Sequence, residues 1–416
     1  MTTEIKSWGQ NYVKLVSVQN QNKKINKQVI SLGNLNSYGD ACIPINNHII
    51  LNKHKTNENE DCIASNETIQ SYLKRTQGLL TGIPGKSNVT IAGAVAADTH
   101  GKDNLWGGSF SRNVKSIKIM LPNQEIVEVS RTKDKDIFFA TIGGFGLTGN
   151  IISVEFFKKD NKFYNFYSIE KSTGIGIKNL LKSFDSKDGT YWIAWINLLD
   201  KKYKWVSETA EPITIQYNKE FPLKEYRDLS ISLSPIGQNR LHTMSAINSC
   251  YYYSSKLKKN KKKYFRDVIY PLNRFTDTRN ISNSRKIIQV QFSIPKSKED
   301  ELENLLSLLV AGQIPLMCSI KRLRAKEHGI NLSFVQDGWT AAIDFAENEF
   351  NHKSIRIFYS ELIKHGGKIY LGKDSTLNVS EFNDMYPDLD AWKKVVKGVD
   401  KNNLFQSSLS KRLNIK

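Results

Sequence analysis

Three small-residue runs carry the chemistry legible in this sequence. The first, SLGNLNSYGDA from Ser31 to Ala41, directly follows the short apolar run QVIS. Its glycines let the backbone turn tightly and approach a ligand, and amides exposed by such a turn can cradle a phosphate; a purely structural turn is the alternative. The second, PGKSNVTIAGAVAADTHGKDNLWGGSF from Pro84 to Phe110, is nearly all small between Ala92 and Ala97. Backbone there must lie against something flat or against another backbone. His100-Gly101-Lys102 follows at once. A lone histidine is ordinarily structural, but one set in a small-residue turn beside a lysine is a candidate for chemistry. The third, GGFGLTGNII from Gly143 to Ile152, has the spacing of a GxGxxG dinucleotide fingerprint. It runs into a strand instead of opening a helix, which is the wrong context for a Rossmann site, and no GxxxxGK[ST] phosphate loop occurs. Gln289 and Gln291 lie two apart in IIQVQFSIP, so on a strand they share a face. Amides alternating with apolar residues suit hydrogen bonding to a polar ligand, a solvent-facing strand being the alternative.

The elements that position these residues form an α+β pattern. Glu67 to Thr76 reads as a helix with Ile69, Tyr72 and Leu73 on one face. Val114 to Ser130 reads as a hairpin around Pro122-Asn123-Gln124, and Asn150 to Phe157 as a strand. Beyond Lys162 come aromatic-rich strands (YWIAWINLL, KIIQVQFSIP). Ser297 is the expected N-cap of a helix with an apolar stripe of Leu302, Leu305, Leu306 and Leu309, ended by Gly312. A second helix ends at Gly366-Gly367, followed by the strand KIYLG and a helical tail. The expected division is 1–162, 163–367, and a segment 368–416 that returns to the first unit.

Composition narrows the class. The 416 residues carry 60 Lys+Arg against 41 Asp+Glu, a formal charge of +19. Such a length suggests two or three domains at roughly 150 residues each and a core that needs no staples. A 39% hydrophobic and 10% aromatic content excludes intrinsic disorder. Cys42, Cys62, Cys250 and Cys318 contain no CxxC pair, which argues against a disulfide framework or structural zinc and for a reducing compartment. The opening MTTEIKSWGQNY lacks the apolar core of a signal peptide. The most apolar stretch, Leu302 to Met317, is broken by Glu303, Asn304, Ser307, Gln313 and Pro315, so a cytoplasmic location is expected. The positive charge points either to an anionic partner or to compositional drift, since Lys, Asn and Ile are abundant throughout. Tyr251 to Arg266, YYYSSKLKKNKKKYFR, reads as a mobile, basic, amphipathic loop able to touch anionic lipid headgroups or nucleic-acid phosphates.

In this order and spacing the three runs resemble the FAD-binding domain of the p-cresol methylhydroxylase and vanillyl-alcohol oxidase superfamily, most closely its branch of decaprenylphosphoryl-β-D-ribose 2′-oxidases. The matching strings are SWGQ, SYGDA, AADTHGK, GGSF, ATIGGFGLTGNI, IIQVQFSIP, GGKIYLGKDS, MYP and VD…LF…RLNI, while residues 163–285 match poorly. The resemblance implies a two-domain PCMH-type FAD-binding fold with an antiparallel-sheet substrate domain. It implies that FAD lies against Ser31, Leu32, Gly33, Asn34, Leu35, Asn36, Ser37, Tyr38, Gly39, Asp40 and Ala41. Gly85, then Thr90, Ile91, Ala92 and Gly93, then Ala97, Asp98, Thr99 and His100, would line the cofactor further along, with Ile152 and Tyr370 completing the site. The aldonolactone-oxidase branch often links its flavin through a histidine in the first loop; Asn34-Leu35-Asn36-Ser37 has none, so non-covalent FAD is expected.

By the same resemblance Lys373, His100 and Tyr38 are the catalytic candidates, Lys373 being the first choice to accept a proton or orient substrate. Lys102, Gln289, Gln291, Lys321 and Tyr370 are the substrate-binding candidates, with Lys102 and Lys321 suited to a substrate phosphate. The implied reaction is oxidation of a sugar secondary hydroxyl to a ketone, with a polyprenyl-phosphate-linked pentose of cell-envelope polysaccharide synthesis as the favoured substrate. A short-chain reductase would take the keto product. The protein would dock on the anionic inner face of the cell membrane, and no nucleic-acid partner is expected. The alternatives are a soluble aldonolactone or sugar-alcohol oxidase and, outside enzymes, a basic polyanion-binding protein. Thr340 and Ala342 stand where that branch carries an Asn and a Cys near its substrate, and TDTRNISNS replaces an expected Trp-Asn-Arg stretch.

Overall fold

The computed structural model describes residues 2–19, 25–52, 62–76, 80–158, 166–184, 191–213, 240–257, 261–270 and 286–416. The chain begins with β1 (Thr2–Lys6) and β2 (Val13–Val18), then β3 (Ile30–Leu32) and β4 (His48–Leu51), in the order β1-β2-β4-β3. SLGNLNSYGDA therefore leaves the end of a very short edge strand. Next come β5 (Cys62–Ala64), α1 (Ile69–Thr76), α2 (Ile91–Ala96), α3 (Asn104–Gly107), β6 (Val114–Met120), β7 (Ile126–Ser130), α4 (Lys135–Thr141) and β8 (Asn150–Phe156). Strands β5-β8-β6-β7 form an antiparallel sheet. On α1, Ile69 and Leu73 are buried as their spacing predicts, and β6–β7 is the expected hairpin. The GGFGLTGN run turns through left-handed Gly143 and Gly146 and feeds β8, so no helix opens there.

The rest of the chain builds one antiparallel sheet of eight strands. Its elements are β9 (Phe166–Ile175), α5 (Ile177–Lys182), β10 (Tyr191–Ile196), β11 (Lys204–Ile213), α6 (Arg240–Lys256), β12 (Lys261–Tyr264), α7 (Phe265–Ile269), β13 (Ile287–Pro295), α8 (Leu302–Val310), β14 (Pro315–Leu323), β15 (Gly338–Ala346), α9 (His352–Lys364) and β16 (Lys368–Ile369). The strand order is β12-β9-β11-β10-β14-β15-β13-β16. Period-two alternation splits the central strands into two chemically different faces. Val290, Phe292, Ile320, Ile343 and Phe345 point one way, into a core with the leucine stripe of α8 and with Ile355, Phe358 and Leu362 of α9. Each fully buried side chain of this kind contributes roughly 1.5–3 kcal/mol. The other face carries Gln289 and Gln291 of β13, opposite Asp344 and Ala342 of β15, and then Ser319 and Lys321 of β14.

Two expectations are corrected. Ser297 is not a helix cap: Lys296–Glu301 is a turn of 3-10 helix with Pro295 at the cap position and no side-chain cap bond. Proline lacks an N–H and fixes φ, so the first turn is set by the ring, and α8 proper starts at Leu302. Nor is the basic run a loop. Its first half ends α6 and its second half forms β12 and α7, with 258–260 outside the described residues. The interleaved aromatics anchor it: Tyr252 is buried, and Tyr251 meets Trp195 edge-on with ring centroids 4.9 Å apart. The lysines of β12 sit on an edge strand, where they also discourage pairing with another sheet.

The remaining helices, α10 (Val379–Met385), α11 (Leu389–Val399) and α12 (Ser408–Arg412), run back over the first strands. Trp392 Nε1 donates to the Ala140 carbonyl at 2.9 Å, Phe405 bridges Val29, and Ser407 bridges Pro44. Among the described residues no helix is long and apolar enough to cross a membrane.

Candidate active site

The polar face of the eight-stranded sheet meets the second small-residue run where Gln291 touches His100. Gln291 Nε2 lies 2.6 Å from His100 Nε2 and 3.2 Å from the Thr340 hydroxyl, which in turn donates to the Phe292 carbonyl. With the glutamine amide as donor, His100 accepts at Nε2, so its ring proton sits on Nδ1. That nitrogen is buried and has no acceptor among the described residues. Burial, then the nearby Lys321 and Lys373, holds the imidazole pKa well below its usual value, so the ring is neutral. Phe334 and Tyr370 enclose the ring at centroid distances of 5.1 and 4.9 Å, and the Tyr370 hydroxyl donates to the Ala97 carbonyl. Gln289 spends its amide on Asp344, at 2.5 Å.

Lys373 follows β16 in a turn whose amide returns to the Tyr370 carbonyl. Its Nζ stands 3.8 Å from the centroid of the Tyr38 ring. Crowding by protein atoms lowers its pKa from the ordinary lysine value to about 7; Asp344 opposes that shift, while Lys86 and Lys321 reinforce it. A lysine poised in this way is a competent proton acceptor near neutral pH. The residue as a whole is half-buried. Burial raises the Asp344 carboxyl above the normal range, with Gln289 and Lys373 restraining it.

Lys321 and Lys102 complete a band of depressed amines, each lowered to about 8 chiefly by burial. Lys102 Nζ donates a hydrogen bond to the Val268 carbonyl at 2.6 Å. Lys321 feels Asp103, and Lys102 feels Glu208. Three lysines of depressed pKa, close enough that Lys321 bears on both Lys102 and Lys373, favour an anionic or strongly hydrogen-bonding ligand.

The SLGNLNSYGDA loop borders the same space. Leu35 adopts a left-handed φ of 52°, and among the described residues the amides of Asn34, Leu35, Asn36 and Ser37 donate to no protein acceptor. Asn36 Nδ2 is likewise buried and unpaired. Such a cluster of open donors is a concavity suited to phosphate oxygens. Other members of the loop are structural. Ser31 donates to Asn150 at 2.8 Å, Asp40 is held by Arg412, and Ala41 is in the core. Gly39 is demanded by contact: a Cβ there would lie 1.7 Å from the Asp374 carbonyl oxygen. Thr90 caps α2 by accepting from the Gly93 amide, with Ile91 buried, Ala92 half-buried and Gly33 against the threonine hydroxyl. Asp98 and Thr99 are buried beside His100, and the Asp98 carboxyl is pushed up to about 6 by burial. Gly85 is exposed, and Ile152 packs beside Met120 and Phe405.

Four residues of the site were not anticipated. Asp344 was detectable as the one charge in the apolar strand GWTAAIDFA. Phe334 comes from a segment with no local signal, while Lys86 and Trp8, 3.5 Å from Nζ to ring centroid, lie in segments already singled out, but no local pattern pairs them. TDTRNISNS lies outside the described residues.

No protein-family model matches the chain. It is 25% identical over 346 residues to the decaprenylphosphoryl-β-D-ribose oxidase of Mycolicibacterium smegmatis, covering 80% of this chain and 75% of that protein. It is 20% identical over 356 residues to an uncharacterised Streptomyces coelicolor protein from the mprA 5′ region, covering 80% of this chain and 95% of the other. At this modest identity, but over most of its length, the chain is a relative of decaprenylphosphoryl-β-D-ribose oxidase.

Proposed function

We propose that the chain is an FAD-dependent oxidoreductase of PCMH-type fold that oxidises a secondary hydroxyl of a sugar to a ketone. The carrying observation is Lys373: an amine held near neutral pKa, stacked on Tyr38 and set among the His100–Gln291 pair, in a chain related to a sugar-lipid oxidase. The residues present fit the cofactor. Open amides at 34–37 and the unpaired Asn36 amide suit its pyrophosphate, and buried Nδ1–H of His100 supplies a donor. No histidine stands in that loop, so FAD is held without a covalent bond. Bound FAD supplies the acceptor for the hydride that leaves the carbinol carbon.

The chain's own residues do the rest. Neutral Lys373 takes the hydroxyl proton, becoming an ammonium, as the C–O bond gains carbonyl character. His100, locked in one tautomer, donates from Nδ1. Phe334 and Tyr370 keep the reacting position dry, which strengthens each of these interactions. Lys102 and Lys321 bind the anionic part of a polyprenyl-phosphate-linked pentose, our preferred substrate, and a short-chain reductase consumes the keto product. Docking on an anionic membrane face would use α6 and β12, where Leu257 is 85% exposed beside exposed Lys256, Lys261 and Lys262.

The deciding experiment is the visible spectrum of the purified protein, repeated on the supernatant after acid precipitation. Flavin bands that pass into the supernatant, and that bleach anaerobically with a phosphorylated pentose, support the reading. A colourless protein that FAD cannot reconstitute overturns it.

A further inference from the structure

The RLNI run around residue 412 has no part in the chemistry above, yet its arginine reaches the site's two loops at once. Arg412, on α12, donates from Nε and Nη2 to both Asp40 oxygens at 2.8 Å. The same Nη2 donates to Asp374 Oδ2 at 2.8 Å, and Nη1 to the Leu377 carbonyl at 2.7 Å. Asp40 lies two residues from Tyr38, and Asp374 adjoins Lys373. The two loops already touch, since the Tyr38 amide reaches the Gly372 carbonyl at 3.2 Å and Gly39 rests on the Asp374 carbonyl. What their contact lacks is charge balance: Asp40 and Asp374 are both buried, and their carboxylates repel. One planar guanidinium cancels that repulsion and spans three oxygens, a geometry no lysine reproduces. The helix bearing it is itself pinned by the Ser407–Ser410 capping box and by Lys416, which donates to the Leu147 carbonyl and to Asp400.

We propose that Arg412 is the positioning residue for Lys373, holding the Tyr38 loop and the Lys373 loop together so that the amine stays stacked over the phenol ring. The meaning of that role rests on the proposed function; its test does not. The charges that bear on Lys373 are Asp344 from β15, Lys321 from β14 and Lys86 from the loop before α2, with neutral His100 beyond them. Arg412→Lys keeps the positive charge, and Asp374→Asn removes a negative charge whose loss would by itself lower the Lys373 midpoint, so a rise in either variant reports geometry and not lost charge.

The experiment is competitive acetylation of the full chain with acetic anhydride across pH, read lysine by lysine by mass spectrometry, with folding checked by circular dichroism. In the unaltered protein Lys373 titrates well below an ordinary lysine. In Arg412→Met, and equally in Arg412→Lys, the freed amine is hydrated and its midpoint rises by about one pH unit or more, while Lys102 and Lys321 stay put. Methylguanidinium added to Arg412→Met restores the low midpoint. Should Arg412→Met not fold, Asp374→Asn keeps the Asp40–Arg412 pair, cuts only the arm beside Lys373, and shifts the midpoint in the same direction. A folded variant of either kind with an unmoved Lys373 midpoint overturns the proposal. Because the labelling needs no flavin, a protein that never binds FAD defeats the proposed function and leaves this result readable.

Discussion

Gln291 spends its amide on His100, and through that one contact a strand of the large sheet fixes the tautomer of a ring carried by the second small-residue run. Gln291 and His100 are both buried, at 4% and 6% exposure, so water cannot replace the bond. Gln291→Met keeps the volume and removes the donor, leaving His100 Nε2 unsatisfied. The expected cost is about 1–3 kcal/mol of stability, measured by urea unfolding at constant m-value. Wild-type stability in that variant would show that the ring repacks freely and that its tautomer is not set here.

The pH dependence follows from Lys373. Its neutral form accepts the proton, so the rate of substrate-driven flavin bleaching should fall as pH drops through about 7 and level off above it. Asp344 raises the Lys373 pKa through its charge, so Asp344→Asn should move this acid limb to lower pH. Stopped-flow bleaching across pH measures both. A limb that moves upward in Asp344→Asn would contradict the sign and the role of the carboxylate.

How far the sequence reached can be judged from particular residues. Helix α1, the β6–β7 hairpin and strand β8 were legible because their periods were clean, whereas the short β1, β2, β4 and β5 and the helices α2, α3 and α4 were not named from the sequence. Gln289 and Gln291 were legible as a shared strand face, but not that the face also collects Asp344 and Lys321 from β15 and β14, since register between strands far apart in sequence leaves no local trace. The basic run misled because lysines dominate its composition, whereas its fold is set by buried Tyr252 and by backbone pairing with β9. Arg412 lies within a matching string, yet its two partners are 372 and 38 residues away.

Lys373→Met removes the proton acceptor while leaving a side chain of similar length over Tyr38. The variant should still bind FAD, since the amine is not among the open donors of the 34–37 loop. Its bleaching rate should fall about 10²–10⁴-fold, the usual contribution of a general base. Retained colour with full-rate bleaching would remove Lys373 from the chemistry.

Lys416 is the second anchor of the tail, and its energetics differ from those of a surface pair. Its side chain is 3% exposed and that of Asp400 is 0% exposed, at 2.5 Å. Lys416→Met strands a buried carboxylate, so the expected loss is about 3–5 kcal/mol. Replacing both residues, as Asp400→Asn with Lys416→Met, should recover part of that loss, because no charge is then left unpaired and the amide oxygen still accepts from the Leu404 or Phe405 amide. A single variant as stable as the parent would show that the Leu404 and Phe405 amides suffice to hold the Asp400 carboxylate.

Ala342 faces Gln291 across the β13–β15 ladder and is half-buried, so a thiol placed there would open onto the site. Reagents that attack a cysteine at this strand position should therefore leave the unaltered protein without an adduct at Ala342. Cys318, on the neighbouring strand, is buried, and burial raises its thiol pKa, so it should also stay unlabelled. Ala342→Cys should gain one adduct by intact mass, formed faster as pH rises and slowed when FAD and substrate fill the site. An adduct at Cys318 in place of the introduced thiol would mean that the two strand faces are exchanged, and with them the assignment of Gln289, Gln291 and Lys321 to the active site.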